Sequence, residues 1–193
     1  TTVDQRVTGE NKLYTINETI LKGANINQHV VYNSTAVNSN TVLDGFTITG
    51  GKTLGSGSTI QSNGAGIANT AGTPIFRNLW VKDNVAFALG AGIYNTSGAT
   101  FYNLIVENNS FAGNTSTARY GAGIYNSGAG AVFSNLVVKN NKTGVSGAGG
   151  GMYSTAANVS LSNAVFTANT SGTEGGGGFY QSTVGAGTVL NNV

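Results

Sequence analysis

The side chains able to do chemistry are few and widely spaced. The chain has 193 residues, with seven carboxylates (Asp4, Glu10, Glu18, Asp44, Asp83, Glu107 and Glu174), one histidine (His29) and no cysteine. A calcium-dependent polysaccharide lyase would need clustered carboxylates to hold the cation, with an Arg or Lys base on the same face. A hydrolase built on His29 would need a nucleophile and an orienting carboxylate beside the ring. The lack of cysteine removes a thiol nucleophile, a Cys-ligated zinc site and a disulfide framework. Whether any of these groups meet depends on the elements that carry them.

Those elements are announced by two recurring phrases. The first is Gly-Ala-Gly-Ile, at Gly64, Gly90 and Gly121, continued in altered form from Gly149 to Met152 and from Gly176 to Phe179. The second ends in paired Asn or its like: Val81-Lys82-Asp83-Asn84, Val106-Glu107-Asn108-Asn109, Val138-Lys139-Asn140-Asn141 and Phe166-Thr167-Ala168-Asn169. The repeat leaves no room for two helices per unit, so it predicts stacked β coils.

Aligning the end of the Gly phrase gives the column Val31, Ile67, Ile93, Ile124, Met152, Phe179. The next column is Tyr32, Ala68, Tyr94, Tyr125, Tyr153, Tyr180, followed by Asn33, Asn69, Asn95, Asn126, Ser154, Gln181. Successive strand residues face opposite ways, so the aliphatic column belongs inside and the Tyr column outside. A second segment aligns as Leu43, Phe76, Phe101, Phe133, Leu161, Val189, then two positions on as Gly45, Asn78, Asn103, Asn135, Asn163, Asn191. Parity then changes to Phe46, Leu79, Leu104, Leu136, Ala164 and to Ile48, Val81, Val106, Val138, Phe166. That change places a corner at the Asn column, where Asn tolerates the left-handed backbone and its amides can bond from rung to rung. The first coil is expected to lay Thr19–Ile26 on Thr41–Ile48. Parallel strands joined by crossovers are right-handed by strong default. The expectation is an all-β, right-handed parallel β-helix (solenoid) of about six to seven coils, one domain over residues 1–193.

This register sorts the charges. Lys22, Asp44 and Arg77 fall in one outward column, and Lys82, Glu107 and Lys139 in another; both alternate in sign, as neighbouring rungs require. Asp44 is then a ladder partner, and Asp83 and Glu107 face opposite ways, so no carboxylates converge on a cation. His29 falls in the column of Ala65, Ala91 and Ala122, where a structural role is expected. The Gly175–Gly178 run lacks a following helix and P-loop Lys, so it serves tight stacking. No catalytic residue, metal site or cofactor is assigned.

Binding residues are sought where the repeat is interrupted. Length varies at one corner, at loops 52–63, 85–89, 110–120, 142–148 and 170–175, and such edges commonly carry contacts. Loop 110–120 offers Phe111, Arg119 and Tyr120 as a candidate contact group. The ladder Tyr94, Tyr125, Tyr153 and Tyr180 could stack sugar rings, or could simply stabilise its own sheet. An ice-binding face would need an aligned Thr rank, whereas Thr here falls in the variable loops.

Composition narrows the classes further. Charged residues are 8% of the chain, against about 25% on average. No apolar run approaches the roughly 20 residues of a spanning helix, and a net charge of +2 is too small and scattered for a nucleic-acid partner. Of eight Asn-X-Ser/Thr triplets, at Asn17, Asn33, Asn95, Asn108, Asn114, Asn141, Asn158 and Asn169, most are what chance supplies in so Asn-, Ser- and Thr-rich a sequence.

The pairing of a Gly-rich aliphatic phrase with a later Phe-x-x-Asn resembles the repeats of polymorphic outer-membrane proteins. It is also similar to the pectin-lyase-like β-helix repeats of bacterial and archaeal surface proteins. Val42-Leu43-Asp44-Gly45-Phe46-Thr47-Ile48-Thr49-Gly50-Gly51 and Gly121-Ala122-Gly123-Ile124-Tyr125-Asn126 carry the likeness, which covers about residues 19 to 193. Only Phe166–Asn169 has Phe-x-x-Asn literally; the other copies carry Val in the Phe place. The resemblance implies a setting at the cell exterior. The expected function is a non-catalytic structural or adhesive module of an extracellular surface protein or filament. The alternative is a β-helix that binds or cleaves a polysaccharide. Expected partners are the rest of a longer chain, other copies through end-to-end coil stacking, or surface glycans, with neither nucleic acid nor membrane insertion.

Overall fold

The computed structural model describes residues 18–24, 29–55, 60–113, 119–183 and 187–193. They form a parallel β-solenoid of about 6 turns. An eight-stranded sheet carries the long strands Ile75–Lys82, Thr100–Glu107, Val132–Lys139 and Ser160–Thr167. A six-stranded sheet stacks the short strands Val31–Asn33, Ile67–Asn69, Ile93–Asn95, Ile124–Asn126, Met152–Ser154 and Phe179–Gln181. The pairings are parallel, and the Ile67–Ile93–Ile124–Met152 column is fully buried.

Each long strand bends at an Asn. Asn78, Asn103, Asn135 and Asn163 have φ of 54°, 53°, 54° and 50°, the left-handed region that Asn tolerates best after Gly. The bend lets the strand turn side chains inward on both sides of the corner. Phe76, Phe101 and Phe133 precede it and stack at ring separations of 5.1 and 4.8 Å. Leu79, Leu104 and Leu136 follow it, also buried.

A second corner follows the long strand, and it explains why the two phrases travel together. Asp83, Asn108 and Asn140 take positive φ, which turns the next residues, Asn84, Asn109 and Asn141, into the interior with no exposure. There Asn109 Nδ2 donates to Val81 O at 3.1 Å and to Asn141 Oδ1 at 3.0 Å. Its own Oδ1 accepts from the backbone N and Nδ2 of Asn84 at 3.1 and 3.0 Å. Against this amide lies the second Gly of the Gly phrase. A Cβ on Gly92 would stand 2.6 Å from Gly123 O and 2.9 Å from Asn109 Nδ2. The bare Gly is what makes room for the inward Asn and for the next coil.

Register differs from the sequence expectation in the first and last coils. Ile20–Lys22 pairs with Thr47–Thr49, so Leu21 lies on Ile48 instead of Leu43; residues 25 and 26 of the expected match lie outside the described residues. Lys22 therefore leaves the Asp44 column, which keeps Arg77 at 2.9 Å as its cation. In the last coil Leu190, not Val189, lies on Leu161. The left-handed corner there is Asn192, at φ 54°, not Asn191; its Nδ2 bonds Asn163 Oδ1. The second charge column stands as expected, with Lys139 Nζ 2.9 Å from Glu107.

Candidate functional site

Three groups of side chains on the outside of the coils could act on a partner: the Tyr ladder, the row of residues beside it, and the loop edge. Tyr94, Tyr125, Tyr153 and Tyr180 stack at 5.4, 5.7 and 5.3 Å with ring planes within 16° of one another. Because each inner ring lies face to face with its neighbours, edges and hydroxyls are what it can offer outward. Tyr120 adds a ring 4.5 Å from Tyr153, so the ladder is flanked from the loop edge. Burial, then the neighbouring Tyr125, raises the pKa of Tyr94, with Asn63 opposing as a hydrogen-bond partner. Burial first, then Glu174, pushes Tyr120 up to about 12.

Beside the ladder the structure reveals an aligned hydroxyl row that the sequence reading missed. Thr70, Thr96, Ser127, Thr155 and Ser182 occupy successive coils, each backbone N donating to the Asn or Ser column of the preceding coil. The row is not a free donor array. Thr70 Oγ1 donates to Asn33 O at 3.0 Å, and Thr96 Oγ1 to Thr70 O at 3.3 Å. Those hydroxyls join coil to coil.

At the loop edge, the proposed contact group turns inward. Arg119 is 2% exposed and Phe111 8%, and only Tyr120 keeps substantial access. The Arg119 guanidinium lies 5.0 Å from the Phe87 ring centroid and 5.9 Å from that of Phe111. Its Nη1 donates to the carbonyls of Ala112 and Gly113, while Nε and Nη2 have no hydrogen-bond partner among the described residues. Burial lowers its pKa. The available signal was position: Arg119 and Tyr120 directly precede a Gly phrase, so they belong to the regular coil, and they pair with Gly147 and Ala148.

The remaining edge forms an open cleft of about 640 Å³ where residues 110–113, 142–145 and 171–172 meet. Its walls include Ser110, Phe111, Lys142, Thr143, Val145 and Ser171, with no carboxylate among them. Ser110, Lys142 and Thr170 form parallel bridges on three successive coils, which stack these positions in one column.

The acids and the histidine do not gather. Glu107 is 7% exposed and bound by Lys139 and by Trp80 Nε1, the latter at 2.9 Å. Asp83 is exposed at its corner on a separate column. His29 sits on Ala65's coil edge, its Nδ1 2.8 Å from Gly64 O and its ring 5.1 Å from Tyr32; a carbonyl can only accept, so Nδ1 carries the proton. Among the described residues no three His, Asp or Glu side chains come together as metal ligands. No helix among them is long and apolar enough to cross a membrane. Asn95 and Asn141 of the Asn-X-Ser/Thr triplets are fully buried and closed to glycosylation, while Asn108 and Asn158 are exposed. Fold and surface define a parallel β-solenoid. No protein-family model, curated protein or solved structure matches the chain.

Proposed function

We propose that this chain is a non-catalytic β-solenoid module, structural or adhesive, of an extracellular surface protein or filament of the kind built from polymorphic outer-membrane-protein-like or pectin-lyase-like repeats. The observation that carries the proposal is where its polar and aromatic side chains are used. The interior Asn columns, the Phe and Tyr stacks and the Asp44–Arg77 and Glu107–Lys139 pairs all join one coil to the next. Stacked, in-register side chains of this sort stiffen a rod and leave contact-making to its edges. Partners on this reading are further coils, in the same or another chain, or surface glycans.

The alternative, cleavage of a polysaccharide, makes an opposite prediction in one assay. Acidic and neutral polysaccharides incubated with the chain are expected to yield no new reducing ends and no unsaturated sugars. Products that form with the folded chain, but not after heat unfolding, would replace this proposal with a lyase or hydrolase. Electron microscopy of the same preparation separates the two forms of the proposal, since long fibres identify a filament subunit and separate short rods an adhesive module.

A further inference from the structure

We infer that the outer face of the long-strand sheet, beyond its Asn corner, is a docking surface for the chain's own residues 1–17. Those residues lie outside the described ones, and the inference holds for a structural or an adhesive module alike. Register sets Thr47, Trp80, Ile105, Val137 and Val165 in one column on successive coils. Strand alternation turns that column outward, since Ile48, Val81, Val106 and Val138 beside it form the core. Burial along the column is uneven. Thr47 is 0% exposed and Ile105 8%, although Ile105 belongs to neither buried apolar cluster, whereas Val165 at the other end is 57% exposed. Glu107, next to Ile105 and also outward, is buried too. Neighbours on the same face shield the flanks of an outward side chain but leave its tip open. Cover at one end of the column alone points to a segment that crosses the face there.

The described chain enters at that covered end. Glu18 Oε1 lies 3.6 Å from Lys82 Nζ, and the same ammonium stands 3.7 Å from the centroid of the Trp80 ring. Yet Ile20, two residues after Glu18, pairs with Thr47, and Thr47 in turn with Trp80. Glu18 therefore reaches back across about 10 Å, two rungs, to meet Lys82. The chain leading into Glu18 arrives from over the outer face beside Trp80. Seventeen residues can span about 55 Å when extended, several times the roughly 10 Å between Thr47 and Ile105. Near the point of entry their sequence supplies Leu13, Tyr14 and Ile16, and Tyr14 and Ile16 share the parity of Glu18. Continuity with Glu18 favours this segment over a second copy, which would have to find the same face unaided.

Trp80 is the only tryptophan, so its fluorescence reports on this face alone. The emission maximum and acrylamide quenching are measured on the whole chain, with circular dichroism to follow the strands. Tyr14→Ser together with Ile16→Ser should raise the quenching constant about twofold and move the emission to longer wavelength. Glu18→Gln, which loses only the pair with Lys82, should shift both readings the same way by less. Val165→Ser, at the open end of the column, should leave both unchanged. The inference is overturned if the double variant and Glu18→Gln both quench like the unaltered chain while the strands remain. It is overturned equally if diluting the unaltered chain roughly a hundredfold exposes Trp80, because a second copy would then be the cover. Should the double variant lose its strand signal, the Glu18→Gln readings decide alone.

Discussion

At the corner inside the long strand, Asn78, Asn103, Asn135 and Asn163 each adopt a left-handed backbone; one amide bond of 3.1 to 3.2 Å joins each to the next, and Asn78 Nδ2 donates to Asp44 Oδ1. At the next corner, Asn84, Asn109 and Asn141 lie in the interior, and each amide bonds both the neighbouring rung and a backbone carbonyl. One residue type thus serves two purposes on the same coils. The first column is Asn because of the backbone it permits. The second is Asn because a buried turn leaves N–H and C=O groups that only a side chain with both donor and acceptor can satisfy.

The contrast is sharpest for Asn109→Ala. It would remove a donor to Val81 O and the acceptor of two Asn84 donors, all buried, and stability should fall by about 3 kcal/mol in urea unfolding. Gly92→Ala attacks the same joint from the other side. Its new Cβ would press on Gly123 O and the Asn109 amide, for a loss of about 3 kcal/mol. The outer corner should respond to backbone alone. Asn103→Gly is expected to leave stability nearly unchanged, whereas Asn103→Ala should cost about 1 kcal/mol for its left-handed φ. If Asn103→Gly proves as damaging as Asn109→Ala, the two columns do not differ.

The smallest effect concerns Tyr120, outside both columns. Its hydroxyl is raised from 10.0 to about 12, chiefly by burial and then by Glu174. A tyrosine shifted up on folding contributes stability that is complete below the unfolded pKa and is lost as pH rises through the folded one. Tyr120→Phe should therefore lose less stability between pH 10 and pH 12 than the unaltered chain, as followed by circular dichroism.

The middle coils were legible because their wording is unambiguous. Only one register puts Phe101 on Phe133, Asn103 on Asn135 and Ile93 on Ile124 at once. The end coils were misread where the wording is degenerate. Gly23 can be laid on Gly45 or on Gly50, and both are left-handed glycines; the structure chooses Gly50, whose carbonyl would stand 2.4 Å from a Cβ on Gly23. Likewise Asn191-Asn192 offers two Asn residues for one corner, and the slip carries Val189 and Leu190 with it. At the loop edge the burial of Arg119 and Phe111 was not legible. Arg119 reads as a solvated loop cation, yet aromatic rings and backbone carbonyls bury it. The hydroxyl row escaped notice because it alternates Thr with Ser, and its alignment depends on the register rather than on identity.

The most direct test of the two-column account is a pair of double-mutant cycles measured by urea unfolding. One couples Asn109 to Asn141 and the other Asn103 to Asn135, each through Ala substitutions. The account predicts an interaction energy of about 1 kcal/mol or more for the buried pair, and additivity within about 0.5 kcal/mol for the corner pair. Equal coupling in the two cycles, or stronger coupling at the outer corner, would contradict it.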